Sequence, residues 1–224
     1  MVSITTIEAK EDLEHTKNRE PMTAVAPVIP NRKPLYLFIK RGFDILFALI
    51  AGVLLLLPMC VIAIMIKLDS KGPVIFRQDR MGKDGKPFTM YKFRSMRLDA
   101  PSELATREFT DLDKYLTRLG KFLRCTSLDE LPQLLNILNG TMSFVGYRPV
   151  CLTEVELNRL RGEYGVFAAR PGLTGLAQVS GRDNLEFEEK AKLDAYYVQN
   201  RSIKMDLWCL FRTVVVVITG EGIL

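Results

Sequence analysis

The hydropathy pattern is dominated by an uncharged apolar run from Ile45 to Ile66, with charged residues close to both of its ends. The run is long enough to enter the hydrocarbon core of a bilayer. It begins too far from the N-terminus, and continues too long, to be typical of a cleaved signal peptide. We therefore predict a membrane-embedded helix over residues 35–71, preceded by a disordered leader at residues 1–34, which are polar and punctuated by prolines.

The path of this segment through the membrane depends on Pro58, which lies inside the apolar run. A proline within a helix removes a backbone hydrogen bond and crowds the preceding turn, so it predicts a break or a kink. Basic residues flank the run on both sides, and this distribution favours the cytoplasm for both ends. Together these features favour a re-entrant helix that breaks near Pro58. A proline-kinked single pass is the alternative, and the pattern does not decide between them.

Residues 72–224 alternate short strand and helix patterns. Two apolar runs at 74–76 and 88–93 flank a glycine turn at 82–85, which predicts a β-hairpin. We predict helices at 115–123, 132–139, 154–163, 185–199 and 203–219, polar connections at 97–112, and a glycine-punctuated loop at 170–182. The predicted fold is α+β and mainly helical, with the membrane helix joined to a small cytoplasmic domain (72–224). That domain contains the hairpin and interfacial amphipathic helices, including a membrane-associated C-terminal helix.

Composition and charge limit the classes of ligand and the side chains available for catalysis. The 224-residue chain carries a formal charge of +5 and is 48% hydrophobic, which suits an anionic membrane surface or phosphate-bearing ligands. It has no Lys/Arg run or zinc-ligand spacing, which argues against nucleic acid as a partner. The only histidine, His15, lies in the leader, so acid–base or nucleophilic work falls to other side chains. No cysteine belongs to a CxxC pair, which indicates free thiols.

The strongest chemical candidate is the adjacent pair Asp129-Glu130. Ser127 and Glu130 also fit a helix-capping box, which is the simpler interpretation of the local pattern. If the helix begins instead near Pro132, both carboxylates precede it in the positive field of its N-terminus, with Arg124 nearby. An ionised carboxylate is a nucleophile, and a neighbouring one can hold a divalent cation. The pair therefore suits metal-assisted phosphoryl transfer.

Arginines and a glycine-rich loop supply candidate phosphate contacts. Guanidinium groups grip phosphate oxygens in bidentate fashion, and glycines bring backbone N–H groups close to a ligand. The loop contains neither a Walker sequence nor a Rossmann fingerprint. The candidates are Arg124, Arg148 and Arg182 for phosphate, and Gly172, Gly175, Gln178 and Gly181 for the substrate loop.

Several motifs in sequence order resemble those of the monotopic phosphoglycosyl transferases, the bacterial sugar transferase family that begins cell-surface glycan assembly. The resemblance covers residue 38 to the end. Its carriers are Lys40-Arg41-x-x-Asp44, Pro58, Phe76-Arg77-Gln78-x-Arg80-x-Gly82, Tyr91-Lys92-Phe93-Arg94-Ser95-Met96, Arg124-x-x-Ser127-Leu128-Asp129-Glu130-Leu131-Pro132-Gln133, Met142-Ser143-Phe144-Val145-Gly146, Arg148-Pro149 and the 171–182 loop.

The resemblance implies a two-step reaction. A carboxylate matching Asp129 attacks the β-phosphate of a UDP-sugar and expels UMP, and polyprenol (undecaprenyl) phosphate then takes the phosphosugar from the aspartate. Glu130 matches the partner carboxylate, Mg²⁺ is expected at the pair, and Arg124, Arg148 and Arg182 match phosphate-holding positions. The family's re-entrant helix places such a site at the cytoplasmic face of the bacterial inner membrane. A homo-oligomer and downstream glycosyltransferases are further expected partners.

Two positions depart from the family pattern: Tyr147 stands where proline is usual, and Leu176 where tryptophan is frequent. Neither removes a charged group, so the departures bear on the sugar rather than on the activity. The chain resembles the minimal form of the family, which lacks extra N-terminal membrane helices. The alternative is a non-catalytic, membrane-anchored interaction protein of a glycan assembly complex, in which Asp129-Glu130 only caps a helix.

Overall fold

The computed structural model describes residues 33–101, 113–181 and 185–219. Helices dominate these ranges and two short sheets join them, so the predicted mainly helical α+β fold is confirmed. Most of the leader, part of the 97–112 connection and Arg182 lie outside the described residues. The elements are α1 (Pro34–Leu54), α2 (Leu56–Asp69), β1 (Ile75–Met81), β2 (Pro87–Phe93), α3 (Arg118–Cys125), α4 (Gln133–Asn139), β3 (Ser143–Val145), α5 (Val155–Glu163), β4 (Gly172–Thr174), α6 (Leu176–Ser180), α7 (Phe187–Asn200) and α8 (Ile203–Thr219).

Helices α1 and α2 form a bent pair whose axes differ by 61°. The break falls at Leu55, just before Pro58 in the first turn of α2. Pro58 has no N–H to donate to the carbonyl of Leu54, and its ring crowds that carbonyl, so the break predicted near it has a local cause. Within the described ranges no single helix has the length and apolar composition to cross a membrane, whereas α1 and α2 taken together do.

Strands β1 and β2 pair in antiparallel register from Ile75 opposite Phe93 to Met81 opposite Pro87. A 3₁₀ turn joins them, in which Asp84 and Gly85 adopt positive φ. The predicted hairpin is confirmed, although β1 extends well beyond the short apolar run that indicated it. Its outer part is polar, and the exposed side chains of Arg77 and Asp79 alternate there with the half-buried side chains of Gln78 and Arg80, as expected of a strand with one face turned to the protein.

Strands β3 and β4 form a second, parallel pair within the segment that we had predicted to be a loop. Residues 170–182 therefore contain β4 and α6, and the loop prediction was wrong for most of its length. The glycines permit a very close backbone approach: a Cβ on Gly172 would lie 2.1 Å from the nitrogen of Gly146, and one on Gly175 would lie 1.8 Å from its oxygen. The same glycines that indicated a loop are required by the strand pairing.

Helix α3 begins at Arg118, later than the predicted start at residue 115. Leu116 instead pairs with Met96 in an isolated bridge, and the side chain of Thr117 caps the helix by accepting a hydrogen bond from the N–H of Gly120. The predicted end of α4 is confirmed, because Gly140 adopts a φ of 85° after it. The predicted helices α5, α7 and α8 are confirmed within two residues at each end.

Helix α1 is tied to the rest of the chain by three charged side chains that lie within little more than one helical turn, Lys40, Arg41 and Asp44. Lys40 pairs with Asp206 of α8 at 2.9 Å. Arg41 donates to the carbonyls of Ile137 and Leu138 at the end of α4, at 2.6 and 2.9 Å. Asp44, 4% exposed, accepts hydrogen bonds from the Ser143 hydroxyl and the Phe144 N–H, both at 3.1 Å. These contacts fix the direction in which the bent pair leaves the domain.

Candidate active site

The chain around Asp129 and Glu130 forms a single 3₁₀ turn, Leu128–Glu130, followed by Pro132 and the start of α4. Ser127 precedes the turn in the left-handed region, at a φ of 57°, and its side chain makes no capping hydrogen bond. The capping box is therefore not formed. Both carboxylates precede the helix, which is the arrangement that leaves them available for chemistry.

Asp129 is 6% exposed and forms part of the wall of a cavity of about 570 Å³ beside the β-hairpin. Its carboxylate accepts no hydrogen bond from any described residue, and its nearest cation is the ammonium of Lys92 at 4.0 Å. Burial raises the pKa of Asp129, the charge of Lys92 opposes that rise, and the neighbouring Glu130 adds to it.

Glu130 is held in a different way from its neighbour. Its Oε1 accepts a 2.7 Å hydrogen bond from Lys92 and a 2.9 Å hydrogen bond from Arg148. Burial alone would raise the pKa of Glu130, but the two cations outweigh it and hold that pKa well below its usual range. Glu130 is therefore a fixed anion that organises two cations, whereas Asp129 retains unbonded oxygens at the cavity.

Of the described arginines in the predicted set, Arg124 shares the cavity with Asp129 and Arg148 bonds Glu130. Arg124 lines the cavity and is oriented by Ser95, whose hydroxyl accepts a 3.1 Å hydrogen bond from Nε. Burial lowers the pKa of Arg124, and Asp129 opposes this effect. Arg148 has a half-exposed side chain that joins Glu130, and Arg161 holds its backbone carbonyl at 2.8 Å.

Sequence reasoning assigned no role to two cations of this site, Lys92 and Arg80. Lys92, on β2, contacts both carboxylates. Arg80, on β1, lines the same cavity and donates to the side-chain oxygen of Gln78 at 2.6 Å, while its Nε has no partner. Arg80 has no carboxylate within ion-pair distance among the described residues. The alternation of side chains along β1 could have indicated Arg80, because Phe76, Gln78 and Arg80 share one face.

The predicted substrate loop lies elsewhere. Gly172, Gly175, Gln178 and Gly181 are not among the residues that line the cavity. Gln178 donates to the carbonyl of Leu173 within its own segment, at 3.0 Å. In the structure, Gly172 and Gly175 serve the pairing of β4 with β3 rather than the wall of the cavity.

Asp129 and Glu130 are the side chains at this cavity that could hold Mg²⁺. The described ranges contain no cluster of three or more His, Cys, Asp or Glu side chains that could enclose a metal ion. Mg²⁺, however, is commonly held by one or two carboxylates together with substrate phosphates. Asp129 and Glu130 supply such a pair at a cavity with several cations, so the donor set fits an ion that is shared with a bound phosphate.

Comparisons with known proteins identify the family of this chain. The family model described as bacterial sugar transferase matches residues 35–220. The chain is 42% identical over 200 residues to the UDP-galactose-lipid carrier transferase of Erwinia amylovora, an alignment that covers 83% of this chain and 41% of that protein. It is 42% identical over 183 residues to the UDP-glucose:undecaprenyl-phosphate glucose-1-phosphate transferase of Escherichia coli (strain K12), covering 79% and 39% respectively.

A third relative is the exopolysaccharide production protein PSS of Rhizobium leguminosarum bv. phaseoli. It is 44% identical over 198 residues, an alignment that covers 83% of this chain and 98% of that protein. The chain thus matches less than half of the first two relatives and nearly all of the third. The chain belongs to the bacterial sugar transferase family.

Proposed function

We propose that this chain is a phosphoglycosyl transferase that moves a sugar-1-phosphate from a UDP-sugar to polyprenol phosphate. The names of its relatives support the substrate classes, since one is a UDP-glucose:undecaprenyl-phosphate glucose-1-phosphate transferase. A cavity of about 570 Å³ is within the range that accommodates a sugar nucleotide. The relative named for exopolysaccharide production supports a role in the synthesis of a cell-surface polysaccharide.

The observation that carries the mechanism is the contrast between the two carboxylates. A nucleophile needs an unbonded, ionised oxygen that faces the substrate, and the carboxylate of Asp129 lines the cavity and accepts no hydrogen bond within the described ranges. Glu130 is already bonded to Lys92 and Arg148. An oxygen of Asp129 attacks the β-phosphorus, the bond from that phosphorus to the bridging oxygen breaks, and UMP leaves with the electron pair.

The second step returns Asp129 to its starting state. A phosphate oxygen of polyprenol phosphate attacks the phosphorus of the aspartyl phosphosugar, and the carboxylate leaves as the diphosphate-linked sugar forms. The cations Lys92, Arg124 and Arg80 line the cavity and are available to balance the charge that develops on the phosphoryl oxygens. If Mg²⁺ binds, Asp129 and Glu130 would hold it, and it would neutralise phosphate charge.

Exposed apolar side chains support a membrane location for the bent pair. Leu54, Leu56 and Leu57 at the break are 71%, 61% and 73% exposed, and Phe122 on α3 is 56% exposed. So large an apolar surface marks an interaction site, and lipid is the partner that suits helices of this composition. We propose a re-entrant pair in the bacterial inner membrane, with the catalytic groups at its cytoplasmic face.

A donor panel tests the activity. Release of UMP is measured from a set of UDP-sugars, with and without undecaprenyl phosphate, for the wild type and for Asp129→Asn. We expect one donor to yield stoichiometric UMP alone and repeated turnover with the acceptor, together with a protein mass increase equal to the phosphosugar. Asp129→Asn should show neither. No UMP from any donor would favour the non-catalytic interaction protein.

A further inference from the structure

A second cavity, of about 30 Å³, lies beside the N-terminal half of α1. It shares no lining residue with the cavity at Asp129. Arg41, in its wall, bonds the carbonyls at the C-terminal end of α4, whereas Asp129 precedes the N-terminal end of that helix. The two cavities therefore lie at opposite ends of α4. The charged residues around the second one are Lys40, Arg41, Arg170, Arg201 and Asp44.

Arg201 is the unexplained member of this group. It is 5% exposed, and its guanidinium donates no hydrogen bond to any described residue, with Nε fully buried. An arginine keeps its charge in a protein, so burying it without a partner is costly. Its surroundings add to that cost, since its backbone carbonyl accepts a 3.1 Å hydrogen bond from the ammonium of Lys33.

The charged residues around Arg201 do not neutralise the positive charge of its guanidinium. Lys40 is paired with Asp206, and Arg41 is bonded to backbone carbonyls. Arg170 donates its Nε to the carbonyl of Gly140 at 2.8 Å, and its two terminal nitrogens bond to no described residue. Asp44, in the same wall, is an opposing charge that is already held by the Ser143 hydroxyl and the Phe144 N–H. Four cations thus face two carboxylates, which leaves a net positive charge.

We propose that this cavity binds the phosphate group of an anionic phospholipid, with Arg201 and Arg170 as its hydrogen-bond donors. The volume exceeds what one buried water needs and is far too small for a sugar nucleotide, so a compact anionic group is the ligand that fits. Free guanidinium donors recognise phosphate oxygens well. Leu37 lines the cavity, and the neighbouring Leu35 and Phe38 are 71% and 80% exposed, so acyl chains have an apolar surface beside the site.

The lipid as the source of the phosphate rests on the membrane location proposed above, but the binding itself does not rest on catalysis. The site also differs from a general attraction between basic residues and a membrane, because it depends on specific donors, the buried Arg201 and its neighbour Arg170. A zwitterionic lipid should bind less well than an anionic one, since its choline cation is repelled by the same cluster.

The test uses the full chain reconstituted in nanodiscs of phosphatidylcholine, with or without phosphatidylglycerol. Retained lipid is counted by native mass spectrometry, and thermal unfolding is followed in parallel. Arg201→Gln is compared with Arg159→Gln, which alters an exposed arginine paired with Glu156 and Glu163. We expect Arg201→Gln to retain about tenfold less phosphatidylglycerol, as the loss of charge-assisted hydrogen bonds predicts, and Arg159→Gln to behave as the wild type.

Stability separates a binding residue from a structural one. In phosphatidylcholine alone, Arg201→Gln should unfold at the same temperature as the wild type or higher, because it removes an uncompensated buried charge. Phosphatidylglycerol should raise the unfolding temperature of the wild type but not of the variant. The proposal would be overturned if Arg201→Gln retained as much phosphatidylglycerol as the wild type. It would also be overturned if Arg201→Gln were destabilised equally in nanodiscs with and without phosphatidylglycerol.

Two further arms complete the test. Arg170→Gln removes the second hydrogen-bond donor and should also retain less phosphatidylglycerol. It replaces Arg201→Gln in the test if that variant does not fold. Inorganic phosphate and glycerol 1-phosphate are added to protein in phosphatidylcholine nanodiscs, and we expect no shift in the unfolding temperature at the concentration of phosphatidylglycerol used. A shift equal to that of the lipid would overturn the lipid source in favour of a soluble phosphate. None of these readouts requires turnover, so absence of UMP release in the donor panel would leave them unaffected.

Discussion

The guanidinium of Arg161 donates a 2.8 Å hydrogen bond to the backbone carbonyl of Arg148. Its other nitrogens hold Asp194 at 2.9 and 2.6 Å, and it lies over the ring of Tyr147, 5.2 Å from the centroid. Because Arg148 in turn bonds Glu130, a buried ion pair positions one of the cations of the active site. Tyr147, where the family usually has proline, supplies the aromatic face for this contact.

Replacement of Arg161 by methionine should destabilise the protein by about 3–5 kcal/mol, because it leaves Asp194 buried without its partner. Burial already raises the pKa of Asp194, and Arg161 opposes that rise. Arg161→Met combined with Asp194→Leu should recover most of the loss, since no charge then remains unpaired. Denaturant unfolding measures both, and Arg159→Met, on the same helix but exposed, is the control. A double variant as unstable as the single one would contradict this account.

The two adjacent carboxylates should respond oppositely to neutralisation. Asp129→Asn removes a charge that its buried surroundings disfavour, so we expect the unfolding temperature at pH 7 to stay the same or rise. Glu130→Gln removes the common partner of Lys92 and Arg148, so that temperature should fall. Differential scanning calorimetry at pH 7 compares them, and a fall for both variants would show that Asp129 is also a structural anion.

The pH dependence of catalysis should reflect the raised pKa of Asp129. The nucleophile must be ionised, so kcat/KM should fall as pH decreases through a value above the usual carboxyl range of about 4. Glu130 has a lowered pKa, so its stabilising contribution is present above its unfolded pKa and is lost only at much lower pH. Lys92→Gln removes the largest charge that opposes the rise at Asp129.

This variant should therefore move the acidic limb of the pH–rate profile to higher pH. Lys121→Gln, an exposed lysine on α3 that pairs with Asp113, is the matched control and should leave the limb in place. If the limb of Lys92→Gln coincides with that of the wild type, the carboxyl that limits the rate is not Asp129.

The sequence was sufficient for those parts of the fold in which local signals and packing agree. The glycine turn predicted the hairpin, Pro58 the break at Leu55, and Gly140 the end of α4. The β3–β4 pair was missed because its strands have three residues each, too few for a periodic pattern, and because the close approach of Gly172 to Gly146 joins distant parts of the chain.

For the same reason, only some of the site residues could be predicted from the sequence. Asp129, Glu130 and Arg124 lie within one short segment, so their proximity was readable along the chain. Lys92 reaches the pair across the fold, from a strand far away in sequence. A contact made through tertiary packing leaves no local spacing signal. The different hydrogen bonding of the two carboxylates, which separates their roles, is likewise a property of the folded site.

Arg80 should contribute to binding of the donor. It lines the cavity with no carboxylate of the described residues in ion-pair distance, so a ligand phosphate would supply a counter-ion. Arg80→Gln should raise KM for the UDP-sugar about tenfold or more, as the loss of a charge-assisted hydrogen bond predicts. Lys86→Gln, in the exposed turn of the same hairpin, should leave KM unchanged. Steady-state kinetics with the donor found in the panel decide this, and an unaltered KM for Arg80→Gln would assign Arg80 to the structure of the hairpin.

Pro58 should determine the path of the bent helix pair through the membrane. Pro58→Ala restores an N–H that can bond to the carbonyl of Leu54, so α1 and α2 should straighten towards one continuous helix of spanning length. The readout is labelling of Thr5→Cys in intact cells with a membrane-impermeant thiol reagent, in a background in which Cys60 and Cys125, both exposed, are serine.

A re-entrant pair keeps residue 5 on the cytoplasmic side, so Thr5→Cys should react only after the cells are opened. Pro58→Ala should make a fraction of the protein reactive from outside, because a straight helix crosses the bilayer instead of returning. Pro87→Ala, at the start of β2, replaces a proline outside the pair and should leave the labelling unchanged. External labelling of Thr5→Cys with Pro58 in place would instead establish the kinked single pass.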